Sequence, residues 1–307
     1  NRLQKNLKKI KKIVNDDQSD SYRIYDRDIP EFPFKVDRFR EYFIIYDCRN
    51  KSSDFADQKK NNITILSDSI KSIFNIDDSK IIIKSRQQQK GKDQYNRLDR
   101  TRTYYEVQEF GAKFFINLYD YLDTGFFLDH RPLRKILSNI SQDKNILNLF
   151  SYTSTLSISA ALGGSSSTVS VDMSKTYTNW SIENFENNNL SLEQNVLINK
   201  NVFDYLNDKK EKGLFDIIIL DPPSFSNSKK MDRTLDIQRD HIELINLCAN
   251  RLSEEGVIYF SNNLRSFKLD SSLLDNYKIE DISDKTIPED FRDKKIHSCF
   301  LISKKIA

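Results

Sequence analysis

From residue 145 onward the chain keeps one rhythm: an apolar run of strand length, a stretch of helical length, and then another apolar run. The runs fall at Ile146 to Phe150, Thr168 to Val171, Asn195 to Ile198, Phe215 to Leu220, Val257 to Phe260 and Cys299 to Ile302. Helical stretches at 155–162, 174–187, 201–208 and 235–252 separate the first five. Continuous apolar strands, as opposed to alternating ones, are what a parallel sheet covered on both faces requires. The pattern predicts a doubly wound α/β domain, Rossmann-like in its winding, over residues 118–307.

The first part of the chain is built differently. Leu3, Leu7, Ile10 and Val14 recur at helical spacing among Lys5, Lys8, Lys9, Lys11 and Lys12, which predicts a basic amphipathic linker helix over 1–18. Aromatic and branched segments follow at Tyr22 to Tyr25, Phe34 to Val36 and Tyr42 to Tyr46, then a helix at about 60–75. Further strands are expected near Ile81 to Lys84, Tyr104 to Gln108 and Lys113 to Asn117. A small α+β domain of strand-strand-helix-strand-strand type is therefore expected over 19–117.

Charge and cysteine content exclude several classes. Lys and Arg number 48 against 45 Asp and Glu, a net charge of +3, so a nucleic-acid surface must be a local patch. One such patch lies in the run Lys84 to Arg97, where Lys84, Arg86, Lys90 and Lys92 flank Tyr95. Flexible cations suit phosphates and a tyrosine among them suits an unpaired base, so these five are the expected RNA contacts. The three cysteines, at 48, 248 and 299, form no CxxC pair and no Cys/His cluster. That excludes a zinc site or disulfide framework and fits a reduced, cytoplasmic compartment. No apolar run approaches the roughly 20 residues needed to span a bilayer. The chain starts at Asn1, without a Met and already inside helix-like sequence, as a segment of a longer polypeptide would.

Four constellations can carry chemistry. The strand 145–149 runs into Phe150-Ser-Tyr-Thr153-Ser154, and the first strand-to-helix turn of a doubly wound sheet approaches a ligand most closely. Asp172 closes the second strand, 22 residues after Phe150, where a carboxylate accepts from ribose hydroxyls or else caps the helix that follows. The fourth strand ends in Asp221-Pro222-Pro223-Ser224-Phe225, an acid, two prolines of fixed φ that stiffen the loop, and a ring placed to stack on an extruded base. Finally, Leu122 to Arg131 joins the two halves and contains Asp129, His130 and Arg131. His130 by itself reads as a satisfied structural histidine, and His241 and His297 have no partner spacing that suggests a triad or a metal site.

These segments resemble the C-terminal (RlmK) half of the bifunctional bacterial 23S rRNA guanine methyltransferase RlmKL, also called RlmL. The likeness runs through Val36-Asp-Arg38, Gln89-Lys-Gly-Lys92, Leu128-Asp-His-Arg131, Asn148-Leu-Phe-Ser-Tyr-Thr153, Val171-Asp-Met-Ser174, Asp221 to Ser228, Gln238-Arg-Asp-His241 and Phe260-Ser-Asn-Asn263. It implies a class I fold dependent on S-adenosyl-L-methionine (SAM), methylation of guanine nitrogen 7 in 23S rRNA, and fusion to a preceding half with a THUMP region and a second methyltransferase. By the same resemblance Asp129 and Arg131 close over SAM, and Asn148, Phe150 and Thr153 line its methionine and backbone path. Asp172 then holds the ribose, while Asp221, Pro222, Pro223 and Phe225 present the guanine. The chain departs from that pattern at Ser154, usually Gly, and at Asn201, usually an acid, whose amide oxygen still accepts from the adenine amine.

Other readings stay open. Guanine N(2) methylation is the alternative chemistry, and a catalytically degenerate RNA-binding module for ribosome assembly is the alternative role. A dinucleotide-dependent oxidoreductase on the same sheet lacks its GxGxxG here. Methylation of cytosine carbon 5 needs a thiolate, and neither Phe260-Ser-Asn-Asn263 nor the surroundings of Asp221 in sequence supply a cysteine.

Overall fold

Strands that pair in parallel need a crossover between them, and both parts of this chain provide one. The computed structural model describes residues 2–48, 56–85, 103–210, 213–226 and 234–305. Its contacts divide the chain into two units, one of residues 1–124 with 289–293 and one of residues 125–288 with 294–307.

In the first unit, helix α1 (Arg2–Asp17) precedes strands β1 (Ser21–Asp26), β2 (Phe34–Phe39) and β3 (Tyr42–Asp47). Helix α2 (Ala56–Phe74) then crosses over to β4 (Ile81–Ser85), which pairs in parallel with β3, giving the sheet order β1-β2-β3-β4. The apolar stripe of α1, Leu3, Leu7 and Ile10, is buried with Ile24, Phe34, Val36 and Ile70 in one core. Strands β5 (Tyr105–Glu109) and β6 (Ala112–Ile116) form a separate hairpin. Its two-residue turn has positive φ at both Phe110 (52°) and Gly111 (80°), the combination whose twist matches paired strands.

A buried ion pair stiffens this unit. Arg23 donates through Nε to Asp37 Oδ1 (2.7 Å) and through Nη2 to Oδ2 (2.9 Å), and its guanidinium lies 4.1 Å from the ring centre of Phe291. Burial works against the charge on Arg23, but Asp37 and Asp26 hold its pKa above the usual arginine value. The short return segment 289–293 is fixed to the same place: Asp290 Oδ2 accepts from Arg23 N (2.9 Å) and Arg292 Nη1 donates to Arg27 O (2.6 Å).

The second unit opens with α3 (Arg131–Ile140) and β7 (Asn145–Leu149), then α4 (Thr155–Leu162), β8 (Ser167–Val171), α5 (Lys175–Asn187), β9 (Asn195–Ile198), α6 (Val202–Asn207) and β10 (Phe215–Leu220). After the two-residue strands β11 (Phe225–Ser226) and β12 (Leu235–Asp236) come α7 (Ile237–Ala249), β13 (Leu252–Asn262), β14 (Tyr277–Asp281), α8 (Ser283–Thr286) and β15 (Ser298–Lys304). The sheet has seven strands in the order β14-β15-β13-β10-β7-β8-β9, with β15 antiparallel to both neighbours. From β7 the chain winds outward through β8 and β9, then returns to the other side of β7 at β10. The carboxyl ends of β7 and β10 therefore form the topological switch point, where such sheets bind ligands. Successive residues of β10 feed opposite faces: Ile218 and Leu220 join the core under α7, and Ile217 and Ile219 join the one under α3 and α4. Among the described residues no helix is long and apolar enough to cross a membrane.

Replacing Asp37 by Asn should leave the buried Arg23 without its bidentate partner and destabilise the protein by about 3–5 kcal/mol, the cost of breaking a buried pair. Denaturant unfolding followed by circular dichroism measures it.

Candidate active site at the strand ends

The turn after β7 keeps a glycine-like backbone without glycine. Phe150, Tyr152 and Ser154 have φ of 58°, 52° and 59°. Each is a left-handed conformation that side chains disfavour, so neighbouring bonds must hold it. They do: Ser151 N donates to Val171 O (3.1 Å), Ser154 N to Ser151 O (2.8 Å), and Ser154 Oγ to Ser181 Oγ (2.8 Å). Ser154, where the resemblance expects Gly, is thus accommodated by a hydroxyl partner on α5.

Asp172, at the end of β8, is the clamp for this turn. Its Oδ2 accepts from Tyr152 N (3.0 Å) and its Oδ1 from Ser174 N (2.8 Å). Burial pushes its pKa up to about 6, although the two backbone N–H groups pull it down. Helix α5 is capped by Ser174, whose hydroxyl accepts from Tyr177 N, so Asp172 is not its N-cap.

Several residues expected at the cofactor spend their side chains inside the protein. Asn148 is buried and its Nδ2 donates to Ser157 Oγ (2.8 Å), which in turn lies 2.7 Å from Ser170 Oγ. Thr153 is buried and its hydroxyl donates to Gly125 O (2.6 Å). Gly125 has φ of 85°, and a Cβ there would stand 2.3 Å from the Trp180 ring, so the Thr153 tie requires glycine at that position. Asn201 was expected to accept from the adenine amine; instead its Oδ1 caps α6, accepting from Phe203 N (2.8 Å) and Asp204 N (3.4 Å). Arg131, expected to close over the cofactor, is buried at the first position of α3. Phe150 is half-buried against the core beside β7.

At the end of β10, Pro222 is buried, Pro223 is half-buried and Phe225 is 47% exposed, an uncovered ring beside the switch point. Pairing of β11 with β12 and a 2.5 Å bond from Ser224 Oγ to Asn263 Oδ1 hold the loop. Asp221 Oδ1 accepts from the Ser261 hydroxyl, and its Oδ2 lies 3.8 Å from His130 Nε2. The His130 and His297 rings meet edge to face at 5.4 Å, and His297 Nδ1 donates to Asp129 Oδ2 (3.0 Å). His297 Nε2 lies 3.0 Å from the Thr286 hydroxyl. Burial would raise the Asp129 pKa, but the His297 hydrogen bond and the charge of His130 outweigh it and hold the carboxylate well below its usual range. The ligand atoms of Asp129, His130 and His297 lie within 4.8 Å of one another. The 3.0 Å contact is a charge-assisted hydrogen bond that ties Asp129 to His297, and His130 joins them through its ring contact.

His130, His297 and Ser261 are the residues that sequence reading passed over. His297 stands 168 residues from Asp129, so no local spacing could signal the pair. The basic patch divides. Lys84 is buried, its Nζ donating to Tyr121 O (2.8 Å) and Leu122 O (3.1 Å), which makes it an internal tie in the first unit instead of the phosphate contact expected. Arg86, Lys90, Lys92 and Tyr95 lie outside the described residues.

A seven-stranded sheet with this order, one antiparallel strand and a switch point between β7 and β10 defines the class I methyltransferase fold. Residues 79–253 match the S-adenosylmethionine-dependent methyltransferase family, and the chain belongs to it. S-Adenosyl-L-methionine is accordingly its methyl donor. Two relatives named ribosomal RNA large subunit methyltransferase K/L are similar over 99% of this chain, from Psychromonas ingrahamii (43% identical) and a Marinomonas species (42%). The chain spans only 41% and 42% of their lengths. Among solved structures, SMU.776 complexed with SAH aligns with a TM-score of 0.77 at 24% identity, covering 98% of this chain and 79% of that one. The SAM-dependent methyltransferase from Agrobacterium tumefaciens aligns at 0.61 and 17%, covering 88% and 87%.

The raised pKa of Asp172 has a testable sign. Its folded value of about 6 lies above the unfolded 3.8, so its contribution to stability is present below that lower value and is lost as pH rises through 6. The stability of the wild type relative to Asp172→Asn should therefore fall between those two pH values and stay level above them, as read from denaturant unfolding across the range.

Proposed function

We propose that this chain transfers the methyl group of SAM to ring nitrogen 7 of a guanine in large-subunit (23S) ribosomal RNA. The observation that carries the reading is the exposed Phe225 ring four residues beyond a carboxylate, Asp221, that is itself held by Ser261 and faced by His130 at the strand end. An aromatic ring in solvent stacks on an unpaired base, and a fixed carboxylate accepts from the N–H groups of a guanine edge. The names of the K/L relatives support an rRNA substrate.

Two features of the strand ends suit the cofactor. The left-handed turn at 150–154 brings main chain to the switch point, and the half-buried Asp172 carboxylate suits ribose hydroxyls. The sulfonium supplies an electrophilic methyl group. Guanine nitrogen 7 offers a lone pair and carries no proton, so the chain need only bind, orient and exclude water; orientation alone contributes roughly 7–11 kcal/mol. Covalent chemistry through the two cysteines of the second unit is disfavoured: Cys299 is buried with its thiol pushed up to about 12, and burial raises Cys248 further. Methylation of the exocyclic amine at N(2) is the second reading. It gains support from Asp221 and His130, 3.8 Å apart, as a route for the proton that amine must lose.

Labelled SAM incubated with 23S rRNA, followed by mass mapping, tests donor, substrate and position together; methyl on N(2), or none, overturns the first reading. Phe225→Ala should lower kcat/KM by about tenfold, the scale of one base stack, with SAM affinity unchanged by calorimetry. Loss of SAM binding in that variant would instead place Phe225 at the cofactor.

A further inference from the structure

We infer that the open groove bounded by α1, the end of α2 and the strands β1 and β2 is a binding site for single-stranded RNA. This rests on the RNA-directed reading above but concerns a surface in the first unit whose described lining lies outside the basic run at 84–97.

The groove has a volume of about 800 Å³, within the range of pockets that hold small ligands. Its rim is cationic: Lys5, Lys8 and Lys11 project from α1, all exposed, and among the described residues no acidic side chain lines the cavity. None of the three makes an ion pair or hydrogen bond with a described residue, so their charge is not spent within the fold. Its floor holds the half-exposed Arg38 guanidinium beside aromatic rings. The Arg38 guanidinium lies 5.0 Å from the ring centre of Phe74 and 5.5 Å from that of Tyr22, whose hydroxyl it also contacts.

Three ammonium groups without a partner among the described residues, above a guanidinium set beside aromatic rings, match one kind of anion. Phosphodiesters follow flexible cations, and bases lie against guanidinium and aromatic planes. An acidic peptide would use the lysines but has no use for the stack. The apolar stripe of the same helix is already in the core, so the basic edge is not required for folding.

The test uses the whole chain and a short fluorescent oligouridylate. Reversing the three charges together (Lys5→Glu, Lys8→Glu, Lys11→Glu) should weaken binding by roughly tenfold or more and reduce the slope of log affinity against log salt by about 2, the counter-ion release of three single-strand phosphates. The neutral triple variant with glutamine at the same positions should show the same slope change, which separates lost contacts from repulsion. Arg38→Met should weaken binding with little change in slope. Unaltered affinity and slope in both triple variants overturn the proposal, as does a polyglutamate peptide that competes as well as the oligonucleotide. SAM affinity measured on the same samples reports the second unit. Intact oligonucleotide binding without methyl transfer to rRNA would sink the proposed reaction and leave the groove standing. Methyl transfer by a wild type whose oligonucleotide affinity is insensitive to these lysines would do the reverse.

Discussion

The second unit depends on one constraint: the chain between β7 and α4 must pass close to the strand ends in a conformation that side chains disfavour. Three left-handed residues at alternate positions cost on the order of 1 kcal/mol each or more. Nothing in Phe150, Tyr152 or Ser154 favours that geometry. It is imposed by Val171, Asp172 and Ser181, which reach the turn from the next strand and the next helix. Asp172 thereby locks the turn, and under the proposed function the same carboxylate would meet the ribose. Burial of that carboxylate raises its pKa, and the two backbone N–H groups only partly offset the effect.

This arrangement explains what could be read from sequence. The α/β winding was legible because parallel strands buried on both faces leave continuous apolar runs, and the runs at 146–150, 168–171, 195–198 and 215–220 coincide with β7 to β10 to within a residue or two. Helix α3, strand β14 and the short helix α8 were not anticipated. Strand β14 alternates exposed and half-buried residues at the sheet edge, so it leaves no apolar run. The polar residues of the site were harder still. Asn148, Thr153 and Asn201 sit where a family pattern aligns them with the cofactor, yet their hydrogen bonds go to Ser157, Gly125 and the first turn of α6. Sequence places a polar side chain at a strand end; only coordinates show which way its donors face.

The histidines make the same point from the other direction. His130 and His297 carry no recognisable spacing, yet they join Asp129 to Asp221 through ring contact and charge, with Ser261 on the far carboxylate oxygen. A buried polar chain of this kind fixes its members more firmly than any pair would. The acid at the end of β10 is therefore oriented from two sides before any substrate arrives, which is what positioning without chemical participation requires.

The return segment at 289–293 has a consequence for how this protein can be divided. It lies late in the chain, between α8 and β15, yet its Asp290, Phe291 and Arg292 complete the surroundings of Arg23 and Arg27. The polypeptide passes between the two units three times instead of once, so no single cut yields two intact modules. A fragment ending at Thr124 would carry the Arg23–Asp37 pair stripped of its aromatic lid, and a fragment beginning at Gly125 would carry that lid with nothing to cover. Any single cut in the backbone therefore leaves these contacts unmade in both products.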